Sequence, residues 1–226
     1  MNLPILYEDA DVVAVDKPAG LITHTDGRTK GESAEDWFNG KYADIKLERP
    51  YVHRLDRDTS GVLVFAKNER AYNFLRKAFS NREVKKTYLA FVYGVPKEKK
   101  GIINFDIGRS RKDFRLRSAQ PKAKGRLREA LTRYEVIGET GEYALLKVNP
   151  ETGRTHQIRV HLKAINHPII GDRLYAPKRP LALGISRLGL HAYEVDLPLQ
   201  NGTRTLITSP VPTNLASAFA QFQRAC

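Results

Sequence analysis

The sequence predicts an α+β fold built on a mixed, mainly antiparallel sheet with flanking helices and loops. Strand-like segments follow one another with only a few helices between them, instead of alternating regularly with helices. The sequence also lacks the GxGxxG and GxxxxGK[ST] patterns of doubly wound nucleotide-binding folds. With 226 residues and no long linker, the chain is expected to form one domain over residues 1–226.

Short apolar runs predict the strands in chain order. They cover residues 5–7, 12–16, 62–66, 87–93, 102–107, 130–136 and 143–148. Lys17-Pro18-Ala19-Gly20 follows the second strand, and its Pro and Gly favour a turn. Two later strands, residues 191–197 and 204–208, flank Asn201-Gly202, a strong hairpin signal.

Capping residues and helical periodicity predict four helices. Ser33 precedes a short helix over residues 34–42, and Asn68 can cap a helix from Glu69 to about residue 80. A third helix runs from about residue 155 to 165, because Pro168 prevents its continuation. The fourth covers residues 215–224.

The composition argues against membrane and metal-dependent proteins. No stretch approaches the ~18 apolar residues of a membrane helix, and no basic segment precedes an apolar one at the start, so a cytoplasmic protein is expected. The single cysteine, Cys226, rules out an internal disulfide and paired-thiolate zinc clusters. The six histidines include no pair at the spacing of an HExxH zinc site.

The charge favours a polyanionic partner, of which nucleic acid is the commonest. The chain has 38 Lys and Arg against 25 Asp and Glu, a formal net charge of +13. Residues 109–128 contain nine basic residues and one acid, Asp113. The basic residues are Arg109, Arg111, Lys112, Arg115, Arg117, Lys122, Lys124, Arg126 and Arg128. A solvated loop or hairpin face is the alternative to phosphate contact.

The sharpest motif is HRLDRDTSG at residues 53–61. It places Asp56 between Arg54 and Arg57 on a polar segment that leads into a strand. Neighbouring cations favour the charged form of a carboxylate, which suits a nucleophile or a base and not a general acid. The same residues also fit a surface turn in which the arginines form ordinary ion pairs.

Two further segments carry cations beside groups that suit RNA. GRTHQIR, residues 153–159, crowds Arg154, His156 and Gln157 at a helix start, where backbone N–H groups favour phosphate, and a packed helix would hold Arg159. A polar first turn with one enclosed arginine is the alternative. Lys85-Lys86-Thr87-Tyr88 brings a tyrosine into a strand after two lysines, an arrangement that suits base stacking as well as simple packing.

Together these motifs resemble those of the RluA-type pseudouridine synthases, which isomerise uridine within structured RNA. Each motif is weak alone, but their joint order and spacing over nearly the whole chain are specific. They are VxKPxG at 15–20, HRLDxxTSG at 53–61, KKxY at 85–88, AxTxYxV at 130–136, GRxHQ[IL]R at 153–159, HPI[IL]GD at 167–172 and LHA at 190–192. The resemblance implies the pseudouridine-synthase catalytic fold. The N-terminal RNA-binding appendage of some relatives is not expected, because so little sequence precedes Ile5.

The resemblance also implies roles for individual residues. Asp56 corresponds to the catalytic aspartate, and Arg159 resembles the arginine that pairs with it. Tyr88 resembles the aromatic residue that packs on the flipped base, and a part in removing the C5 proton stays open. Arg54 resembles the residue that fills the space left by that base. Expected RNA contacts comprise Lys17, Arg54, Lys85, Lys86, Arg154, His156, Arg109, Arg111, Lys112, Arg115 and Arg117.

The implied reaction breaks the N1–C1′ bond of uridine, turns the base and joins C5 to C1′. No atoms are gained or lost, so the resemblance implies no cofactor, metal or ATP. The nucleotide has to leave the stack, and backbone contacts from the basic surface would offset that cost. Attack of Asp56 at C1′, attack at C6 and removal of a ribose proton all stay open, as do transfer and ribosomal RNA as targets. A monomer without an obligate protein partner is expected.

Two other classes of protein fit parts of the sequence. A catalytically silent RNA-binding protein on the same scaffold would keep the basic surface and would not need Asp56. A metal-dependent phosphoesterase would use Asp9, Asp11, His53 and Asp56, and it would lose activity with a chelator.

Overall fold

A computed structural model describes residues 1–25, 31–110, 113, 116–119 and 123–223. Within these residues the chain forms twelve strands and four helices. The strands are β1 (Ile5–Glu8), β2 (Val12–Lys17), β3 (Ser60–Ala66), β4 (Lys85–Tyr93), β5 (Lys100–Asn104), β6 (Ile107–Ser110), β7 (Arg117–Ala119), β8 (Ala123–Arg128), β9 (Leu131–Thr140), β10 (Tyr143–Pro150), β11 (Leu190–Pro198) and β12 (Arg204–Thr208). The helices are α1 (Ala34–Lys41), α2 (Glu69–Ser80), α3 (Gln157–Ala164) and α4 (Thr213–Gln223). The pairings β1–β2, β2–β3, β4–β10, β9–β10, β5–β9 and β11–β12 are antiparallel, which confirms the predicted α+β fold with a mainly antiparallel sheet.

The chain divides into two compact units. The first comprises Met1–Lys86 and Ala192–Pro210, and the second comprises Thr87–His191 and Val211–Cys226. The single catalytic domain over residues 1–226 stays a prediction.

The first unit is a sheet with helix α2 packed against it. Its strands lie in the order β1-β2-β3-β11, and β12 pairs with β11. Asn68 begins α2 because its side chain accepts a hydrogen bond from the backbone N–H of Ala71. Ala71, Leu75 and Ala78 form the buried stripe of the helix and share a core with residues of β2, β3, β11 and β12. This packing gives β3, which follows the HRLD motif, a rigid support.

The second unit holds four strands in the order β4-β10-β9-β5 and a separate sheet in the order β7-β6-β8. Helix α3 contributes Ile158 and Leu162 to a core that includes Ala90 of β4 and Leu146 of β10. In α4, Phe222 is buried and packs against Phe91 of β4. The GRTHQIR motif therefore leads into a helix that is anchored on the sheet.

Two differences from the predicted elements concern the same region. Residues 102–107, expected to form one strand, are divided between the end of β5 and the start of β6, and Phe105 and Asp106 belong to neither strand. Strands β7 and β8 are not among the predicted elements. The chain breaks at Phe105, whose carbonyl lies 2.9 Å from His161 Nε2 of α3. This long-range contact has no signature in the local sequence.

Some predicted features lie outside the described residues. Among them are Arg111, Lys112, Arg115 and Lys122 of the basic stretch and Arg224 at the end of the fourth predicted helix. In the part of the chain that the structure describes, no helix is long and apolar enough to cross a membrane.

Candidate active site

The loop that carries Asp56 is fixed through backbone groups of Leu55 and Arg57, the residues on both sides of Asp56. On one side, the Leu55 N–H donates to Thr23 Oγ1 at 3.1 Å, and the Thr23 hydroxyl donates to the Leu55 carbonyl at 2.9 Å. On the other side, the Arg57 carbonyl accepts from the Gly20 N–H at 2.8 Å and from Lys17 Nζ at 3.1 Å. Asp56 is itself partly exposed. The fold thus presents this carboxylate from a fixed backbone.

The turn after Asp56 is closed by its own backbone. The Thr59 N–H donates to the Asp56 carbonyl at 3.1 Å, and Thr59 and Ser60 are buried where the chain enters β3. Arg54, Arg57 and Asp58 are exposed. The predicted position of Asp56, on a loop that leads into a strand, is the one that the structure shows.

The side chain of His53 takes the place of a backbone acceptor beside β3, where the segment of residues 50–52 turns away from this strand. Residues 50–52 run beside the end of β3, where the Ala66 N–H donates to the Pro50 carbonyl and the Val52 N–H to the Val64 carbonyl. At the next position, the Val64 N–H donates to His53 Nε2 at 3.1 Å, and the imidazole stacks on Phe79. This contact requires an unprotonated Nε2. Burial and the charge of Lys86 lower the pKa of His53 to about 3.

The neutral imidazole predicts a dependence of stability on pH. Its pKa in the fold is below that of the unfolded chain, about 6.5, so the unfolded chain takes up a proton first as the pH falls. The resulting stability is present above about pH 6.5 and is lost as the pH falls towards 3. Between pH 6.5 and 5, the wild type should lose about 1–2 kcal/mol of unfolding free energy more than His53→Gln, which keeps an acceptor. Urea titrations at the two pH values measure this difference.

A matched control is His167→Gln, the same substitution at a histidine of the second unit whose Nδ1 lies 3.1 Å from the Tyr93 carbonyl oxygen. This variant should retain the pH dependence of the wild type. If His53→Gln retained it as well, His53 would not be the group responsible.

Lys17 lies in the interior, where a direct contact with RNA is not available. Its side chain is fully buried, and Nζ donates to the carbonyls of Pro18, Leu21 and Arg57. The expectation of RNA contact is therefore corrected for this residue. Lys17 instead ties the turn after β2 to the loop of Asp56, since an ammonium group can donate three hydrogen bonds.

The KKxY motif lies at the start of β4. Lys85 is exposed and Lys86 is partly buried, and burial lowers the pKa of Lys86 to about 8. Tyr88 pairs in register with Val148 of β10, and its partly buried ring packs against the core of the second unit. The sequence therefore placed Tyr88 correctly on a strand, and its role as the base-stacking residue stays a prediction.

Gln157 organises the turn before α3. Its amide donates to the Leu131 carbonyl and to Thr132 Oγ1, both at 3.0 Å. Its Oε1 accepts from the Thr152 hydroxyl at 2.7 Å and from the Arg154 N–H at 3.0 Å. Gln157 is buried, so this network joins the motif to β9 and leaves the partly exposed Arg154 on the surface. The sequence grouped Arg154 and Gln157 correctly but gave no sign of this division of roles.

Arg159 forms a buried ion pair with Asp172, a residue to which the motifs assign no role. Its Nε and Nη2 each donate to an oxygen of Asp172 at 2.8 Å. The guanidinium also lies 5.0 Å from the ring centre of Tyr175. Asp172 falls within the HPI[IL]GD motif, which was the available signal. The expected pairing of Arg159 with Asp56 stays a prediction.

A patch of arginines covers the small sheet of the second unit, here called the basic sheet and defined as β6, β7 and β8. The register aligns Arg109 with Arg117 on one side and with Lys124 on the other. Arg109, Arg126 and Arg128 are exposed, and Arg117 is partly exposed. Like charges directly opposite each other on neighbouring strands destabilise a sheet. A polyanion bound here would relieve that repulsion.

The two carboxylates that a metal-dependent phosphoesterase would need beside Asp56 have local structural roles. Asp9 Oδ1 accepts from the Asp11 and Val12 N–H groups, and its Oδ2 accepts from the Tyr7 hydroxyl. Asp11 accepts from the side-chain amide of Asn68. These contacts close the β1–β2 turn and join it to the start of α2.

Comparison with known proteins decides the family. A family described as RNA pseudouridylate synthase matches residues 11–164, a span that includes the loop of Asp56, the KKxY strand and the GRTHQIR turn. The chain belongs to this family. Its members are isomerases, and the resemblance to RluA-type pseudouridine synthases drawn from the motifs is confirmed.

Relatives within the family match most of the chain. A Chlorobaculum parvum protein named an uncharacterized RNA pseudouridine synthase is 41% identical over 192 residues, 82% of this chain and 59% of that protein. A similarly named Mycobacterium bovis protein is 40% identical over 225 residues, 96% of this chain and 72% of that protein. A Borreliella burgdorferi protein named ribosomal large subunit pseudouridine synthase D is 33% identical over 232 residues, 99% of this chain and 70% of that protein. The chain thus spans 59–72% of the length of these relatives.

Solved structures of two human proteins share the fold of this pseudouridine synthase family member. Human RNA pseudouridylate synthase domain containing 4 superposes with a TM-score of 0.79 at 24% identity, covering 97% of this chain and 93% of that chain. Human RNA pseudouridylate synthase domain containing 1 gives a TM-score of 0.77 at 25% identity, covering 100% and 96%. The predicted pseudouridine-synthase fold is confirmed.

Proposed function

We propose that this protein is an RNA pseudouridine synthase that isomerises uridines in structured RNA, with Asp56 as the essential residue. The observation that carries the proposal is the fixed backbone on both sides of Asp56. A catalytic group contributes most when it is held in its reactive geometry before the substrate arrives. An aspartate in an ordinary surface turn would not need the buried Thr23 and Lys17 to hold its neighbours.

Four residues have proposed roles in the reaction. Asp56 acts in covalent or base catalysis at the sugar or the pyrimidine ring, and Arg159 keeps it charged and oriented. Tyr88 packs on the flipped base. Arg54, which is exposed, fills the space that the base leaves in the stack. The reaction breaks N1–C1′ and forms C5–C1′, while the proton leaves C5 and N1 gains one.

The loss of that C5 proton provides the direct test of the function. Transcripts labelled with tritium at uridine C5, one set of transfer RNA and one of large-subunit ribosomal RNA, are incubated with the protein. The ribosomal RNA is included because one relative is named ribosomal large subunit pseudouridine synthase D. Tritium release identifies the reaction and the class of RNA. Tight binding of both transcripts without release would instead favour the catalytically silent RNA-binding protein.

The basic sheet is proposed as part of the RNA-binding surface. Replacing Arg109, Arg117 and Arg126 with glutamine should weaken binding and flatten its dependence on salt. Each lost phosphate contact lowers the slope of log affinity against log salt by about 0.7–0.9, so a decrease of about 2 is expected. Filter binding of transfer RNA transcripts at salt concentrations between about 50 and 300 mM measures this slope.

Arg204→Gln is the control for this experiment. Arg204 is an arginine of the first unit whose Nε donates to Asp196 at 2.9 Å, so its charge already has a partner. This variant should bind RNA with the wild-type slope. An unchanged slope in the triple variant would exclude the basic sheet from the binding surface.

A further inference from the structure

Tyr175 joins the basic sheet to the start of α3 through its hydroxyl. The oxygen accepts a hydrogen bond from the backbone N–H of Arg117 in β7 at 2.9 Å. It also lies 2.9 Å from Nδ1 of His156, the residue that precedes α3. Only 4% of the tyrosine is exposed. One buried hydroxyl therefore contacts both a strand of the basic sheet and the GRTHQIR motif.

The position of Tyr175 is itself determined by the ion pair of Arg159. Asp172 Oδ1, which accepts from Arg159, also accepts from the N–H groups of Leu174 and Tyr175 at 3.0 Å. In return, the Arg159 guanidinium lies over the tyrosine ring. The backbone and the ring of Tyr175 are thus both held by the buried Arg159–Asp172 pair, and the hydroxyl has little freedom to move.

An apolar cluster also joins the basic sheet to α3. Ile107 and Ala119 of the sheet form a small core with Val160 of α3 and with Tyr175. Apolar burial is non-directional, so it keeps two elements together without fixing their relative position. A hydrogen bond to a backbone N–H has a strict geometry and does fix it. The hydrogen bond between the Arg117 N–H and the Tyr175 hydroxyl therefore fixes the position of β7.

His156 gives independent support for a positioned turn. Its backbone is left-handed, with φ 58° and ψ 20°, a conformation that is unfavourable for a residue other than glycine. Such strain persists where surrounding contacts over-determine the geometry. The hydroxyl of Tyr175 and the edge-to-face packing of the two rings are contacts of that kind.

We propose that the Tyr175 hydroxyl is a positioning group that fixes the position of the basic sheet relative to the start of α3. RNA held by the sheet is thereby aligned with Arg154 and His156. The inference rests on the proposed function and deepens it. Tyr175 touches no reacting atom in this proposal. It sets where the RNA backbone lies.

Tyr175→Phe tests the proposal because it removes the hydroxyl and keeps the ring for Arg159 and the apolar core. The dissociation constant for unmodified transfer RNA transcripts and KM for tritium release should each rise about three- to tenfold, with a smaller change in kcat. The decisive measurement repeats the substitution in a protein that carries Arg109→Gln and Arg126→Gln. There the added effect of Tyr175→Phe should fall below twofold, because a sheet that has lost these two arginines holds the RNA less and its position matters less for binding.

Tyr143→Phe is the matched control, since Tyr143 begins β10, whereas the GRTHQIR turn follows the other end of that strand, and the variant should bind RNA as the wild type does. An equal rise in the dissociation constant in both backgrounds would mean a general structural role and would overturn the proposal. An unchanged constant in Tyr175→Phe would overturn it as well. If the wild type released no tritium, the proposed reaction would fail, while the binding series would still decide the role of Tyr175.

Discussion

Replacing Asp56 with asparagine is expected to abolish pseudouridine formation and to leave RNA binding in place. Asparagine has nearly the shape of aspartate but carries no charge, so it acts neither as a nucleophile nor as a base at neutral pH. Removal of a single essential group of this kind costs about 10⁴-fold or more in turnover. Tritium release measures turnover, and filter binding on the same preparation measures affinity for the RNA.

Asp58→Asn is the matched control because Asp58 is an exposed carboxylate of the same loop. It changes the net charge by the same amount and should keep turnover within a few-fold of the wild type. Comparable losses in both variants would indicate a charge effect. Turnover retained by Asp56→Asn would exclude Asp56 as the essential residue.

Replacing Gly61 with alanine is expected to cause a large loss of stability. Gly61 has φ +115°, and an added Cβ would lie 2.1 Å from the carbonyl oxygen of Ala192. The left-handed backbone and the steric overlap each cost about 1–3 kcal/mol. We therefore expect the unfolding free energy to fall by about 2–6 kcal/mol, which urea titration measures directly.

Gly202→Ala separates the two causes. Gly202 also has a positive φ, +85°, but an added Cβ would meet no atom within 4 Å. Its loss should be limited to the cost of the backbone conformation, about 1 kcal/mol. If the two variants lost the same stability, the close approach of Gly61 to Ala192 would not be the cause.

Elements defined by neighbouring residues were predicted well from the sequence. Helix α2 has the predicted start and end because Asn68 and the apolar stripe lie within twelve residues of each other. The break at Phe105 and the strands β7 and β8 were not predicted. At the break, the Phe105 carbonyl contacts His161, 56 positions away along the chain, and the arginine-rich strands lack the apolar alternation that marks a strand.

The same distinction applies to the candidate site. The HRLD motif predicted that Asp56 lies on a loop before a strand, because that position depends only on neighbouring residues. The residues that hold the loop, Thr23 and Lys17, are separated by 32 and 40 positions from the peptide units they contact. No spacing rule connects residues so far apart, and Tyr175, which lies 58 positions from Arg117, was missed for the same reason.

The hydrogen bonds on both sides of Asp56 also bear on the thermodynamics of substrate binding. Ordering a loop residue costs about 1–2 kcal/mol of conformational entropy at 25 °C. Because Leu55 and Arg57 are already fixed, this entropy is lost once, when the chain folds, and not in each encounter with RNA. In the proposed reaction, the ordering that remains falls on the nucleotide that leaves the stack, so the sequence and shape of the RNA would govern how readily a uridine is selected.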